Sequence, residues 1–563
     1  MSQGRSRHIL EILTREARLT APFLAELRGA FDVENSVDPL RIGTLYEAQL
    51  SQEKARAQGS FYTPPFLVDF VVQHTLAPLV RGLQPTQIEK LRILDPSCGG
   101  GAFLLGVLRF LEAQCIAGGA KAGIALRSRL SRCLVGVDLD ATAVEVTRAS
   151  LLVAVGGACQ LTLICGDALL PTTKITQVDA IVGNPPWGQK NLKLGASVRK
   201  RYRELFITAK GVWDPFKLFV ERVHQILPAG GYWGFVLPDI VLLKNLQEVR
   251  DVILQGSAIR EIAHCGKAFP GANIDAIAFC AQRVHRPVGS QHSLRVWPEL
   301  RADWQKNSQV THQQKQAVFH ELPGHRFNLY LHGSALDLYR RLRNHPRLGE
   351  HFDMHEGVHS GNSRSRLFME SKGPGPARRL IVGGSEMAAY SLQWNGRWLN
   401  TSSDAIDRKA GQYANLGRPH WHGRNKLVVR RTGDRVIAAF DSQGFYVSNN
   451  LFVLLDKTDA EDTQQFRLAI VALLNSRFMT WYFRAIQPRR GRLFAELKLV
   501  HMRDFPLPCA KRWKQVEAKL AALAMVAQRK GAHIVASEVN VLVESAFEIS
   551  PQEQEVISPK PSP

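Results

Sequence analysis

Between residues 91 and 283, short apolar runs alternate with longer segments whose apolar residues recur at helical spacing. The runs are LRILDP, CLVGVDLD, LTLICGD, VDAIVGNP, GYWGFVLP, IREIAHC and DAIAFCAQRV. Between them lie FLLGVLRFLEAQ, ATAVEVTRASLLVAV and PFKLFVERVHQIL. Such alternation builds βαβ units, so the expected fold class is α/β, a doubly wound, Rossmann-like and mostly parallel sheet. Open sheets of this kind bind ligands outside the carboxyl ends of their strands. The residues that end each run are therefore the first place to look for chemistry.

Three successive runs end in an acid: Asp95 in LDPSCGGGAF, Asp138 in GVDLD and Asp167 in CGD. A glycine-rich turn follows the first, letting backbone approach a ligand closely. Helix capping accounts for one or two of these acids but less easily for all three. The Asp95–Asp138 interval far exceeds the ~20 residues of a dinucleotide fingerprint, and acids alone make a poor pyrophosphate site. They suit a ligand carrying a sulfonium and an amino group beside its adenosine, as S-adenosylmethionine does.

The fourth run ends in Asn184-Pro185-Pro186-Trp187. The Asn184 side chain and the Pro185 carbonyl offer two rigidly held acceptors. Together they can grip an exocyclic amine and raise its nucleophilicity toward a methyl donor. Trp187 is expected to face outward and stack on the ring that bears the amine. A duplex base reaches such a pocket only when flipped out. The plain alternative is a Pro-Pro turn beside a buried Trp.

The net charge of +22 favours a polyanionic partner. The eight cysteines contain no CxxC pair and read as reduced thiols of a cytoplasmic protein. No apolar run approaches the ~18 residues needed to span a bilayer, and the basic start, broken by Glu11 and Arg15, is not expected to be a signal peptide.

DPSCGGGAF, GVDLD, CGD and NPPW, in this order and preceded by FYTPP, resemble the gamma-class (Taq/Eco57-type) N6-adenine DNA methyltransferases of restriction-modification systems. The resemblance implies that Tyr62, Thr63 and Pro64 line the methionine end of S-adenosylmethionine. It implies that Asp95, Pro96, Cys98, Gly99 and Gly101 hold its amino acid part, Asp138 its ribose and Asp167 its adenine amine. Asn184, Pro185, Pro186 and Trp187 would be catalytic, with Trp187 and Phe269 sandwiching the target base. The chain departs from the family at Gly100, where Ser or Thr is usual, so a looser loop is expected. Cytosine-directed relatives carry Ser in place of Asn, so Asn184 points to adenine.

The remainder has a different character. RPVGSQH reads as a linker, after which short strand-like runs mix with turns and one helix, QFRLAIVALLNSRFMTWYF. EGVHSGNSRSRLF, NKLVVRRTGDRVIAAFDSQGFYVSNNLFVL and LKLVHMRDFPLP resemble that class's target-recognition domains more loosely. Expected boundaries are an N-terminal helical segment at 1–50, a catalytic domain at 51–285, an α+β target-recognition domain at 286–510, and a helix with a disordered tail at 511–563. Contacts to DNA are expected from Arg199, Lys200 and Arg201, and from Arg430, Arg431, Arg489, Arg490 and Arg492. His351, His355 and His359 share four-residue spacing, but Gly357 weakens that helix and no metal is expected.

The expected activity is transfer of a methyl group to N6 of a flipped adenine in double-stranded DNA. It would form the modification arm of a restriction-modification or phage-defence system, with a separate endonuclease or defence proteins as partners. The alternatives are an N-methyltransferase of ribosomal RNA or protein glutamine, and a non-catalytic DNA specificity subunit. No PD…ExK pattern appears in the first 40 residues, so methylation without cleavage is expected.

Overall fold

The computed structural model describes residues 17, 19, 23–25, 27, 38–49, 63–157, 159–187, 195–210, 214–269, 274–307, 311–373, 375–402, 404–457, 463–487 and 495–558. The chain forms two compact units, Met1–Leu329 and Tyr330–Pro563.

The first unit is built on a nine-stranded sheet in the order β3-β2-β1-β4-β5-β7-β6-β8-β9. Its strands are β1 (Ile93–Asp95), β2 (Leu134–Asp138), β3 (Thr162–Cys165), β4 (Ala180–Gly183), β5 (Tyr232–Pro238), β6 (Ser257–Gly266), β7 (Ala276–Arg283), β8 (Ser293–Trp297) and β9 (His312–Lys315). β1 to β5 pair in parallel, β7 enters antiparallel between β5 and β6, and β8 and β9 extend the far edge. Residues 286–292, which read as a linker, thus lie inside this unit. The parallel half has the expected doubly wound form, and every residue of β1 and β4 is buried. Central strands covered on both faces are apolar throughout for this reason.

The helices that position the site are α1 (Pro39–Gln49), α2 (Pro65–Val80), α3 (Ala102–Ala117), α4 (Ala141–Val155) and α5 (Ala196–Leu205). α2 starts on Pro65, whose missing N–H costs nothing at a first helical position, and it buries Leu67, Val68, Phe70, Val71 and Leu76. Asp140 caps α4 by accepting from the Thr142 amide. Strand order reverses at β1: the chain winds outward through β2 and β3, then returns to place β4 on the other side of β1. The crevice at such a switch point is the general ligand site of doubly wound sheets. Asp95 and Asn184 stand at its two lips.

The second unit holds two four-stranded sheets. In one, Lys426–Arg430 pairs antiparallel with both Leu451–Asp456 and Ala438–Asp441. In the other, Ala377–Ile381 pairs with Trp398–Asn400 and Tyr446–Val447. Ile381, Val428, Ala439, Val447 and Val453 form one of its cores. The expected single helix at 465–483 is two, Thr463–Leu474 and Arg477–Ile486, because the Ser476 hydroxyl accepts from the Met479 amide and starts a new helix. The tail expected to be disordered forms a helix over Pro551–Ile557. A Ser550–Glu553 capping box starts that helix, and Arg341 grips both Glu553 carboxylate oxygens at 2.9 Å. Residues 559–563 lie outside the described residues.

Candidate active site

Asp95 ends β1 with its carboxyl buried and accepts at 3.0 Å from the Ser97 amide. Burial pushes its pKa up to about 8; the Ser97 amide pulls it down and the neighbouring Asp138 pushes it further up. Gly183, at the end of β4, makes room for it, since a Cβ there would lie 2.8 Å from Asp95 Oδ1. A buried carboxyl held this way is a ready partner for a cationic ligand.

The turn after Asp95 is fixed by its neighbours. The Gly99 amide donates at 2.9 Å to Asp138 Oδ2, and the Thr147 hydroxyl donates at 2.6 Å to the Gly99 carbonyl. Gly101 takes φ +89°, a left-handed conformation that glycine adopts without strain, and leads into α3. The expectation of a looser loop at Gly100 is corrected here. A Cβ on Gly100 would sit 2.7 Å from the Gly43 Cα, and one on Gly43 would sit 2.9 Å from the Gly100 carbonyl oxygen. The missing side chain lets α1 cross the loop backbone to backbone. α1 is further tied down by the Tyr46 hydroxyl, which donates at 3.0 Å to Asp140 Oδ2. Spacing and composition around Gly43 carried no sign of this crossing.

Asp138 ends β2, with burial raising its pKa and the Gly99 and Asp140 amides lowering it. Its oxygens therefore hold the loop. Cys98 is buried under the loop, where the Thr147 hydroxyl lies 3.7 Å from its sulfur, and burial pushes its thiol well up. Pro96 is buried as well. Asp167, beyond β3, accepts from the Leu169 amide at 2.9 Å and from the Tyr202 hydroxyl at 2.5 Å. Tyr202 is the buried anchor of α5, whose Arg199, Lys200, Arg201 and Arg203 are exposed.

At the end of β4, Asn184 is bonded at both ends of its amide. Nδ2 donates to Thr63 Oγ1 at 3.1 Å, and Oδ1 accepts from Trp187 Nε1 at 2.8 Å. Pro185 is buried and Pro186 half-buried. Trp187 does not face outward as expected. It is 6% exposed and meets Phe269 edge to face, with centroids 5.2 Å apart and planes at 90°. Trp187 and the distant Phe269 are thus brought together, but as a closed pair. The indole finds cover on Phe269 and a hydrogen-bond partner on Asn184.

The other candidates divide. Pro64 immediately precedes α2, while Tyr62 and Arg489, Arg490 and Arg492 lie outside the described residues. Arg430 donates to the Gly384 and Met387 carbonyls, and Arg431 pairs with Glu496 at 2.9 Å and Glu356 at 3.5 Å. These two arginines hold their own unit together. The three histidines do not share a helix face: His351 ends a short helix, His355 lies in Phe352–Glu356 and stacks on Trp421 at 3.9 Å, and His359 bridges to Asn415. A grouping that spacing could not reveal is Asp239, His264 and Asp275, at the ends of β5, β6 and β7. Their candidate ligand atoms lie within 4.8 Å of one another.

The crevice, with acids on three strand ends and an Asn-Pro-Pro-aromatic turn on the fourth, belongs to a methyltransferase-type α/β domain. Residues 39–283 match the family described as N-6 DNA Methylase, and residues 379–507 match the TaqI-like C-terminal specificity domain. The chain thus joins an N-6 DNA methylase domain to a TaqI-like specificity domain, which fits the gamma-class adenine methyltransferases. Among curated relatives, the type II methyltransferase M.VspI of Vibrio sp. (strain 343) is 26% identical over 239 residues, covering 42% of this chain and 51% of the relative. M.BstVI of Geobacillus stearothermophilus is 25% identical over 238 residues, covering 40% and 41%. The chain therefore spans about half or less of the length of these relatives. Among solved structures, the type IIL restriction-modification enzyme MmeI in complex with DNA aligns with TM-score 0.60 at 12% identity, over 93% of this chain and 81% of that one. The DrdV–DNA complex aligns with TM-score 0.54 at 13% identity, over 86% and 59%. At these identities the likeness is one of fold.

Proposed function

We propose that the protein transfers a methyl group from S-adenosylmethionine to N6 of adenine in duplex DNA, as the modification component of a restriction-modification or phage-defence system. The observation that carries this reading is the pairing, across one switch-point crevice, of a buried carboxyl at Asp95 with the Asn184-Pro185-Pro186-Trp187 turn. The two family matches, one to each unit, supply the DNA context. S-adenosylmethionine fits the residues present: its ammonium would meet Asp95, its ribose Asp138 and its adenine amine Asp167. When bound it supplies an electrophilic methyl carbon.

The chain's own part is orientation and lone-pair steering. Asn184 Oδ1 and the Pro185 carbonyl would accept the two N6 hydrogens and draw the nitrogen toward a pyramidal geometry. Its lone pair would then be aimed at the methyl carbon that bound S-adenosylmethionine would supply, the S–C bonding pair leaving with sulfur. The nitrogen sheds its proton afterward, so no side-chain base is required. Asn184 narrows the target to adenine. Arg199, Lys200 and Arg201 on α5 would contact phosphates beside the flipped base.

Substitution Asn184→Ala tests the reading. It is expected to abolish label transfer from tritiated S-adenosylmethionine to DNA, with cofactor and DNA affinities retained. Turnover near that of the wild type would remove Asn184 from the chemistry.

A further inference from the structure

Thr63 and Asn184 are 121 residues apart, yet each immediately precedes a Pro-Pro pair, Pro64-Pro65 and Pro185-Pro186. A following proline restricts the residue before it to extended backbone, and the β-branched Thr has few side-chain rotamers. The 3.1 Å bond from Asn184 Nδ2 to Thr63 Oγ1 therefore joins the side chains of two residues with restricted backbones. Thr63 is 6% exposed, so water does not compete freely for its oxygen.

The orientation of the Asn184 amide follows from its two neighbours. An indole N–H only donates, so the amide end 2.8 Å from Trp187 Nε1 must be the oxygen. The other end is then NH₂ and needs an acceptor, which Thr63 provides. Methyl transfer disturbs this balance. A target amine can use both acceptors only if Oδ1 is released by Trp187. At that moment the Thr63 bond is the side-chain hydrogen bond that still holds the amide in place.

We propose that Thr63 is a positioning residue for transfer: its hydroxyl, bonded to the Nδ2 end of the Asn184 amide, holds the place and plane of that amide while Oδ1 is offered to the target amine. This inference rests on the methyltransferase reading and assigns Thr63 to the amide rather than to the methionine end of the cofactor.

Thr63→Val keeps the shape and removes the acceptor; Thr63→Ser restores it. With unmethylated plasmid DNA and tritiated S-adenosylmethionine, Thr63→Val should lower the single-turnover rate by about tenfold, the worth of one lost hydrogen bond. Its Kd for S-adenosylmethionine should stay within about twofold of the wild type, and Thr63→Ser should recover most of the rate. A loss confined to cofactor Kd would make Thr63 a cofactor contact, and failure of Ser to rescue would make it a packing residue; either overturns the proposal. A second readout does not depend on the reaction. With isotopically labelled asparagine, the Asn184 side-chain protons, assigned through Asn184→Ala, should exchange faster in Thr63→Val than in the wild type. Equal exchange would overturn the clamp. Absence of methyl transfer by the wild type would instead overturn the enzyme reading and leave this measurement to decide the clamp.

Discussion

The indole N–H of Trp187 donates to Asn184 Oδ1 at 2.8 Å, so the oxygen assigned to the target amine is already bonded within its own turn. Trp187 also stands perpendicular to Phe269, whereas a base sandwiched between them needs both rings parallel to it. On the reading proposed above, substrate entry would rotate the indole and break that bond. Trp187→Phe keeps an aromatic face and removes the competing donor. Steady-state assays should show an unchanged kcat and a DNA KM lowered by a few-fold, consistent with about 1 kcal/mol for one neutral hydrogen bond. Trp187→Ala should lose about ten- to hundredfold in kcat/KM as stacking is lost. Equal losses in both variants would contradict a competing role for the N–H.

On the reading proposed above, cofactor affinity should depend on pH through Asp95. With burial raising its pKa to about 8, its carboxyl is mostly protonated at neutral pH before a cation arrives. A group whose folded pKa lies above its unfolded value of 3.8 stabilises the fold fully below that value. The contribution is lost as pH rises through about 8. The cofactor-free protein should therefore weaken over that window. S-adenosylmethionine should bind more tightly by up to about tenfold per pH unit toward 8, with proton release seen by calorimetry in buffers of different ionisation enthalpy. Asp95→Asn should bind weakly and without this slope.

The arginines separate by their bonding. Arg199, Lys200 and Arg201 are exposed on α5, while Arg430 and Arg431 are engaged within the second unit. Replacing the first three by Ala should weaken DNA binding and lower the slope of log Kd against log salt by about one for each phosphate left without its cation. Arg431→Ala should lower the melting temperature and leave that slope in place. The reverse pattern would move the phosphate-binding role to the second unit.

Lys426 and Asp441 form a fully buried ion pair, and Asp441 also accepts from the Gln443, Gly444 and Phe445 amides. Burial holds the Lys426 pKa below its ordinary value, with the Asp441 charge opposing that shift. Lys426→Met leaves a buried carboxylate without its counter-ion and should cost the second unit about 3–5 kcal/mol in urea unfolding. A loss under about 1 kcal/mol would show that the three amides suffice.

What the sequence disclosed depended on how local each feature was. The βαβ alternation and the acids at Asp95, Asp138 and Asp167 were legible because strand ends recur in order and side chains there must face the crevice. The antiparallel β7, inserted between β5 and β6, was not, since strand pairing is decided by partners far away in the chain. The Gly43–Gly100 crossing and the Thr63–Asn184 bond were hidden for the same reason. Trp187 reads as outward in its own turn because the ring that covers it, Phe269, comes 82 residues later in the chain. The closing helix at Pro551–Ile557 was hidden by a polar composition that Arg341 and a capping box override.

The most direct test of the central claim is to incubate the full chain with tritiated S-adenosylmethionine and unmethylated duplex DNA, then digest the DNA to nucleosides. The account predicts label in N6-methyladenine at a fixed sequence context, and none from Asn184→Ala. Label in N4-methylcytosine would contradict the reading of Asn184. Label only in RNA or protein would contradict DNA as the substrate.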